Sequence, residues 1–384
     1  MKKSIKNLDE YKVAIIHDWL TVYGGGERVL EQILNVFKQA HLYTLVDYLS
    51  EKDRKFVKDR KITTSFIQSL PFSEKYYRQY LFLMPYAIEN FDLSEYDIII
   101  SSSHAVAKGV LTGPDQLHIS YVHSPIRYAW DLQHEYLKTS GLNRGVKGLI
   151  AKWQLHKIRQ WDYRTPNGVD KWIANSSFIK KRIWKVYRRQ SNVIYPPVNI
   201  NKFFISNTRK NYYFTVSRFV PYKRIDIIVD AFKRMPEKEL VVIGDGPEWN
   251  KINNNIPKNI QLLGYQESSV VEEYMRNAKA FIFAAKEDFG IVPVEAQACG
   301  VPVVAYGKGG VLDTVIENKT GIYFHEQSEQ SIINAITKFE SMKHQFDPVA
   351  IRTHAENFSE ERFRLEIESY VKNELDQFCS EYYV

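Results

Sequence analysis

The sequence predicts an α/β protein made of two Rossmann-like, doubly wound parallel-sheet domains facing across a cleft. Three observations predict it. Short apolar runs recur from Val13 to Ala305, the pattern of strands buried on both faces of a parallel sheet. Segments with helical spacing separate them, as in successive βαβ units. The 384 residues exceed one ordinary core, and the stiff segment Tyr195-Pro196-Pro197-Val198-Asn199 divides the series. The expected domains are residues 1–196 and 197–358, with a C-terminal helix in 359–384 crossing back onto the first.

In the first domain, Lys12–Asp18 reads as the opening strand. The glycine run Gly24-Gly25-Gly26 follows, then a helical pattern from Glu27 to about Lys38 with Val29, Leu30, Ile33, Leu34 and Phe37 on one face. A flexible turn and a close backbone approach to a ligand both fit the glycines. Leu42–Val46 is the next strand. Residues 52–92 mix basic and aromatic side chains and read as a helix pair packed on this domain, or as a membrane-facing surface. Asp97–Ser101 and Leu117–Val122 are further strands, the latter ending in His123-Ser124-Pro125-Ile126-Arg127-Tyr128-Ala129-Trp130-Asp131. Ligands in open α/β sheets sit off the carboxyl ends of strands, so His123 is a site candidate, as is His17 more weakly. Residues 144–164 form a basic helix with apolar positions Leu149, Ile150, Trp153, Ile158 and Trp161. It suits either domain packing or an anionic leaflet. Lys171–Asn175 is a strand, and Ser176 or Ser177 caps a basic helix through Arg189.

The second series runs through Tyr212–Val216, Leu240–Ile243, Ile260–Leu263, Ala280–Ala284 and Val303–Ala305. Its central stretch is Lys286-Glu287-Asp288-Phe289-Gly290-Ile291-Val292-Pro293-Val294-Glu295, closed by Gly300 as a C-cap. Glu287 stands just off a strand end. Phe289-Gly290-Ile291-Val292 opens a helix whose amides and dipole favour an anion. Glu295 lies farther along that helix. Amides for a phosphate and carboxylates for hydroxyls suit a phosphorylated, hydroxyl-rich ligand. An ordinary βαβ unit with surface glutamates fits the same residues. Arg218 and Lys223 follow the first strand of this domain, where a guanidinium fork and an ammonium can neutralise a diphosphate. The turns Gly244-Asp245-Gly246 and Gly264-Tyr265 also follow strands and allow close backbone approach.

Hydrophobic content of 44% and charged content of 25% are those of a soluble globular protein. Only Cys299 and Cys379 are present, which argues against a disulfide framework or a zinc site and for a reducing compartment. The N-terminal apolar run Val13–Ile16 is too short for a signal core, and no run approaches the roughly 20 residues that span a bilayer. A cytoplasmic protein is expected. The net charge of +7 suits phosphorylated ligands or anionic lipid. No nucleic-acid motif is present, so no nucleic-acid partner is expected.

These motifs resemble glycosyltransferase family 4, which has the two-domain GT-B fold. Glu287…Glu295 with Phe289-Gly290 and Ala298-Cys299-Gly300-Val301-Pro302 matches the family's paired-glutamate motif. Ser217-Arg218 with Lys223 matches its diphosphate motif, and Gly24-Gly25-Gly26-Glu27-Arg28 its glycine loop. The His123–Asp131 segment and the Glu287–Glu295 stretch narrow the likeness to bacterial mannosyltransferases of O-antigen and exopolysaccharide synthesis.

The resemblance implies roles. Arg218 and Lys223 bind the donor diphosphate, Glu287 the donor-sugar hydroxyls and Glu295 the ribose. Phe289 and the amides of Gly290, Ile291 and Val292 meet the distal phosphate and sugar, residues near Tyr265 the base, and Gly25 the donor from the other domain. His123 stands at the reaction centre, with Gly24, Arg127 and Asp131 on the acceptor side. It also implies retention of configuration, no metal, and no cofactor beyond a nucleotide-sugar donor, GDP-mannose. The acceptor would be a lipid-linked saccharide, reached peripherally at the inner face of the cytoplasmic membrane. A UDP-, ADP- or dTDP-sugar transferase, an epimerase or hydrolase of the same fold, and a non-catalytic binding protein are the alternatives.

Overall fold

The computed structural model describes residues 8–382. The chain divides into two compact units, at Tyr195/Pro196 and again at Arg362/Phe363. The second crossing falls inside the last helix, Glu360–Tyr382, rather than at residue 359.

The first unit holds seven strands: β1 (Val13–His17), β2 (His41–Thr44), β3 (Ile62–Thr64), β4 (Ile98–Ser103), β5 (Leu117–Val122), β6 (Lys171–Ala174) and β7 (Asn192–Val193). Their order is β3-β2-β1-β4-β5-β6-β7, and every pairing is parallel. Alternate residues of β1 serve opposite faces. Val13 and Ile15 join a core with Val29, Leu30 and Ile33 of helix Gly25–Val36, and with Phe363, Ile367 and Val371 of the last helix. Ala14 and Ile16 join another core with Met84, Ala87 and Ile88. Both faces are covered, which is why these strands read as continuous apolar runs.

The second unit holds six strands: β8 (Tyr212–Val216), β9 (Glu239–Ile243), β10 (Ile260–Leu262), β11 (Ala280–Phe283), β12 (Val303–Tyr306) and β13 (Gly321–Phe324). Their order is β10-β9-β8-β11-β12-β13, again all parallel. Helices Ile225–Lys233 and Glu329–Met342 bury Ile228, Phe232, Ile332 and Ile336 against it.

The sheet order reverses between β1 and β4 in one unit and between β8 and β11 in the other. Such switch points open a crevice at the strands' carboxyl ends. His17-Asp18 and Ser102–His104 occupy the first, Ser217–Lys223 and Ala284–Glu287 the second.

Three local expectations are corrected. Residues 52–92 are not a helix pair. They form short helical segments around strand β3, the longest being Tyr77–Phe82 and Met84–Glu89 at six residues each. Pro71 and Pro85 interrupt the run, and the aromatic side chains lack one helical phase. Strand β7 escaped the sequence because two residues give little periodicity, and β13 was missed as well. Gly25 and Gly26 are the first helical residues rather than a loop, because Gly24 is the N-cap and Glu27 closes back on it. Among the described residues, no helix is long and apolar enough to cross a membrane.

Phe363 is fully buried in the first unit's core. Phe363→Ala should cost about 3–5 kcal/mol of that unit's stability. Urea unfolding checks it, and a loss under about 1 kcal/mol would mean the last helix does not anchor there.

Candidate active site

In the second unit, the loop after β8 is held by the loop after β9. Phe219 N donates to Asp245 O at 2.8 Å, and Glu248 N donates to Phe219 O at 3.1 Å. The buried Phe219 ring stacks on Trp249 with centroids 5.7 Å apart. The backbone of Arg218 is thus fixed while its side chain is exposed. Gly244, at φ +141°, is required here, since a Cβ would lie 1.8 Å from Ser217 O. Gly246 likewise has Phe219 O at 2.5 Å from a Cβ position. The close approach these glycines allow is made by the chain's own backbone, at Ser217 and Phe219.

Lys223 ends a single turn, Pro221–Lys223, and Arg224 then adopts a left-handed φ of +54° before helix Ile225–Lys233. This bend sends the Lys223 ammonium to the Glu287 carboxylate in a half-buried ion pair. Glu287 itself is clamped from behind, with Gly310 N donating to its carbonyl at 2.9 Å. Gly309 and Gly310 permit that contact, as Cβ atoms there would meet Glu287 O and Asp288 O at 2.4 and 2.3 Å. These residues were missed from the sequence, although Gly307-Lys308-Gly309-Gly310 directly follows a strand.

Helix Ile291–Ala298 starts at Gly290, whose φ of +92° suits glycine, and no side chain caps it. The amides of Ile291 and Val292 therefore belong to an uncapped helix start, while Pro293 offers none. Glu295 is half-buried farther along the helix. Tyr265 is exposed after Gly264. The structure thus brings Lys223 and Glu287 together beside an anion-favouring helix start.

In the first unit, His123 follows β5 and its Nε2 meets Ser102 Oγ at 2.8 Å. The same hydroxyl meets His17 Nδ1 at 3.1 Å. Ser102 therefore joins two imidazoles at the ends of three adjacent strands. His17 Nε2 lies 3.5 Å from Glu27 Oε1, whose other oxygen accepts from Gly24 N at 2.9 Å. Gly26 faces this group, with the His17 and His123 rings 3.8 and 3.9 Å from a Cβ position. His104 approaches His123 with ring centroids 6.2 Å apart.

Asp18 is fully buried and holds the floor of this cluster. Its carboxylate accepts from the amides of His104, Ala105, Val106 and Ala107 at 2.6–2.9 Å, and from His104 Nδ1 at 3.1 Å. Burial works against its charge, yet the His104 ring and the amides outweigh that and hold its pKa below the ordinary value. Burial, reinforced by the His104 and His17 rings, pushes His123 down to about 3. His123 is therefore a neutral imidazole at neutral pH. Burial also raises the Glu27 pKa, but His17 overcomes this and lowers it.

Arg127 Nε donates to Ser124 Oγ at 3.3 Å, and Asp131 pairs with Arg182 at the edge of the same loop. Arg182 Nη1 reaches Ser124 Oγ too, at 2.7 Å. Asp131 and Arg127 thus shape the loop after His123. Asp18, Ser102 and His104 were not singled out from sequence. The only signal was their place at strand ends. Gly24 and Gly25 open the helix whose Glu27 faces His17. Among the described residues, no group of three or more His, Cys, Asp or Glu side chains is arranged to hold a metal ion.

Residues 23–202 match the family described as Glycosyltransferase Family 4, and residues 199–360 match Glycosyl transferases group 1. An uncharacterized glycosyltransferase of Methanocaldococcus jannaschii is 33% identical over 183 residues, 46% of this chain and 51% of that protein. A GDP-mannose-dependent alpha-(1-6)-phosphatidylinositol monomannoside mannosyltransferase of Mycolicibacterium smegmatis is 32% identical over 142 residues, 32% of this chain and 36% of that one. The chain spans about half or less of the length of these two curated relatives. Among solved structures, Anabaena HepE in complex with UDP superposes with a TM-score of 0.70 at 16% identity, covering 94% of this chain and 100% of that one. That last likeness is one of fold.

Two outcomes test the first unit's geometry. Asp18→Asn loses the charge that serves four amides and should cost about 3 kcal/mol or more at neutral pH. Because the folded pKa of Asp18 is depressed, its contribution is full above the unfolded carboxylate range near 3.9 and fades as pH falls through the folded value. Urea unfolding of both proteins should therefore show a gap at neutral pH that closes in strong acid. For His123 the unfolded chain binds more protons than the folded one between about 3 and about 6.5. Stability should fall as pH drops through that window, and His123→Gln should flatten the slope. An unchanged slope would show that His123 titrates freely.

Proposed function

The chain belongs to glycosyltransferase family 4, and from that premise we propose that it moves mannose from GDP-mannose onto a lipid-linked oligosaccharide with retention of configuration. One observation carries the reading: the Lys223–Glu287 contact beside the uncapped start of helix Ile291–Ala298. A sugar nucleotide presents phosphate next to hydroxyls, joined through the anomeric C–O–P linkage. An ammonium for the phosphate touching a carboxylate for the hydroxyls marks where that linkage would lie. The two groups satisfy each other, and the donor would take a partner from both.

In transfer, the bond from the anomeric carbon to the phosphate oxygen breaks, and negative charge grows on the departing diphosphate. Lys223, Arg218 and the amides of Ile291 and Val292 would stabilise it. The acceptor hydroxyl bonds to the anomeric carbon on the same face, and its proton passes to the leaving phosphate. No side chain is assigned as nucleophile. Glu287 would hold sugar hydroxyls and Glu295 the ribose. His123, neutral at neutral pH, would offer a hydrogen bond near the reacting sugar, with Ser102 fixing its ring. No metal is required in this scheme, because fixed cations and amides take the charge a metal would.

The GDP-mannose-dependent relative from Mycolicibacterium smegmatis supports the choice of donor. A uridine nucleotide is the second reading, favoured by the UDP bound to the HepE protein of similar fold. A lipid-linked O-antigen or exopolysaccharide precursor fits the narrower motif likeness. Such an acceptor would place the enzyme at the cytoplasmic face of a membrane.

Lys223→Ala should lower turnover about a hundredfold to a thousandfold while leaving the unfolding midpoint near wild type. Near-normal turnover would remove Lys223 from the site. Thermal shifts with GDP-, UDP-, ADP- and dTDP-sugars, with EDTA present, choose the donor, since a ligand of the folded state raises its melting temperature. A shift with GDP-mannose supports the reading, and a shift with another sugar nucleotide alone replaces mannose.

A further inference from the structure

Helix Gly145–Arg164 buries one face through Gly148, Leu155, Ile158 and Asp162. Its other face is also apolar, and it is open to solvent. Val146, Leu149, Ile150 and Trp153 are 73%, 67%, 52% and 61% exposed. Their i, i+3, i+4, i+7 spacing sets them in one stripe. Scattered exposed apolar residues are ordinary, but a contiguous run with an aromatic anchor marks an interaction surface.

Charge identifies the partner. Arg144, Lys147, Lys152 and Lys157 are all exposed around the stripe. Lys147 and Lys152 lie on its opposite flanks by helical phase. The Lys157 ammonium sits 5.7 Å from the Trp153 ring centroid. The helix contains a single carboxylate, Asp162, which is buried against Lys108. The first half of the helix therefore exposes an apolar stripe between Lys147 and Lys152, and the ionised side chains exposed along the helix are all basic, with His156 and Gln160 also exposed beyond Trp153. That is the pattern of a helix lying in a lipid interface, with its apolar stripe among the acyl chains and its lysines at anionic headgroups.

We propose that Val146, Leu149, Ile150 and Trp153 form a docking face for an anionic lipid bilayer. The acceptor's lipid anchor gives this face its purpose, and in that respect it rests on the function proposed above. Binding to vesicles needs no acceptor and stands by itself.

The test is co-sedimentation of the full chain with vesicles of phosphatidylcholine alone and of phosphatidylcholine mixed with phosphatidylglycerol. Wild type should bind the mixed vesicles at least about tenfold more tightly than the neutral ones. The triple variant Leu149→Gln/Ile150→Gln/Trp153→Gln should lose at least about tenfold in binding to the mixed vesicles. Lys147→Glu/Lys152→Glu should abolish the preference for the anionic lipid. All these residues are exposed, and both variants should keep the wild-type melting temperature and its shift with sugar nucleotide. Wild type that ignores both vesicles, or a triple variant that binds as wild type, would overturn the proposal. So would a dimer in sedimentation velocity that the triple variant abolishes, which would make a second copy the partner. Vesicle binding without any sugar-nucleotide shift would keep this surface and count against the function proposed above.

Discussion

Asp18 is a carboxylate removed from water, and four consecutive amides of residues 104–107 turn toward it. Burying such a charge is costly, and only a full set of donors offsets the cost. That requirement fixes the loop after β4, and the loop in turn fixes His104 beside His123. The same loop continues into Lys108, also buried, which donates to Ala105 O at 3.1 Å and pairs with Asp162. Asp162 also accepts from Trp130 Nε1 at 2.6 Å and Tyr187 OH at 2.9 Å. One run of buried polar contacts thus joins the loops after β4 and β5 to helix Gly145–Arg164. The histidines are held from below, and their ring atoms are set by packing and not by solvent. A neutral His123 follows from the same burial, since its charged form would lose hydration among two other imidazoles.

The second unit uses a different constraint. Its loops cross with backbones in direct contact, and glycine is the residue that permits it. Gly244 and Gly246 admit the Arg218 loop, and Gly309 and Gly310 admit the Glu287 loop. Each pair leaves a candidate site side chain, Arg218 or Glu287, projecting from a fixed backbone. Fixed geometry would serve the proposed transfer, because donors already in place need no rearrangement as the bond breaks. Arg218 and Lys223 differ in this respect. The Arg218 head is exposed, whereas Lys223 is already seated on Glu287.

Much of the fold was legible because parallel strands buried on both faces announce themselves as apolar runs. Strand β8 was read with its observed bounds, and β11 to within a residue. The paired glutamates, Arg218 and Lys223 were legible through motif spacing, and His123 through its place at a strand end. Strand β7, at two residues, was too short to carry a pattern. Residues 52–92 do not form the expected helix pair, because Pro71 and Pro85 divide them into helical segments of six residues or fewer. Helix Gly145–Arg164 was ambiguous for a physical reason. It is apolar on two opposite faces, so spacing alone does not tell which face meets the core.

The sequence by itself determined the α/β class, the two parallel series, and the residue types a phosphorylated sugar would need at strand ends. Those are local properties, set by apolar periodicity, glycine and proline placement, and motif spacing. Only the tertiary structure decided that Asp18 anchors the loop of His104, that Ser102 joins His17 to His123, and that Lys223 seats on Glu287. Each of these contacts joins residues more than sixty positions apart or on different strands, and chain proximity carries no trace of them. The strand order brings them together. The cost of leaving buried charge unpartnered then selects one arrangement among those the order allows.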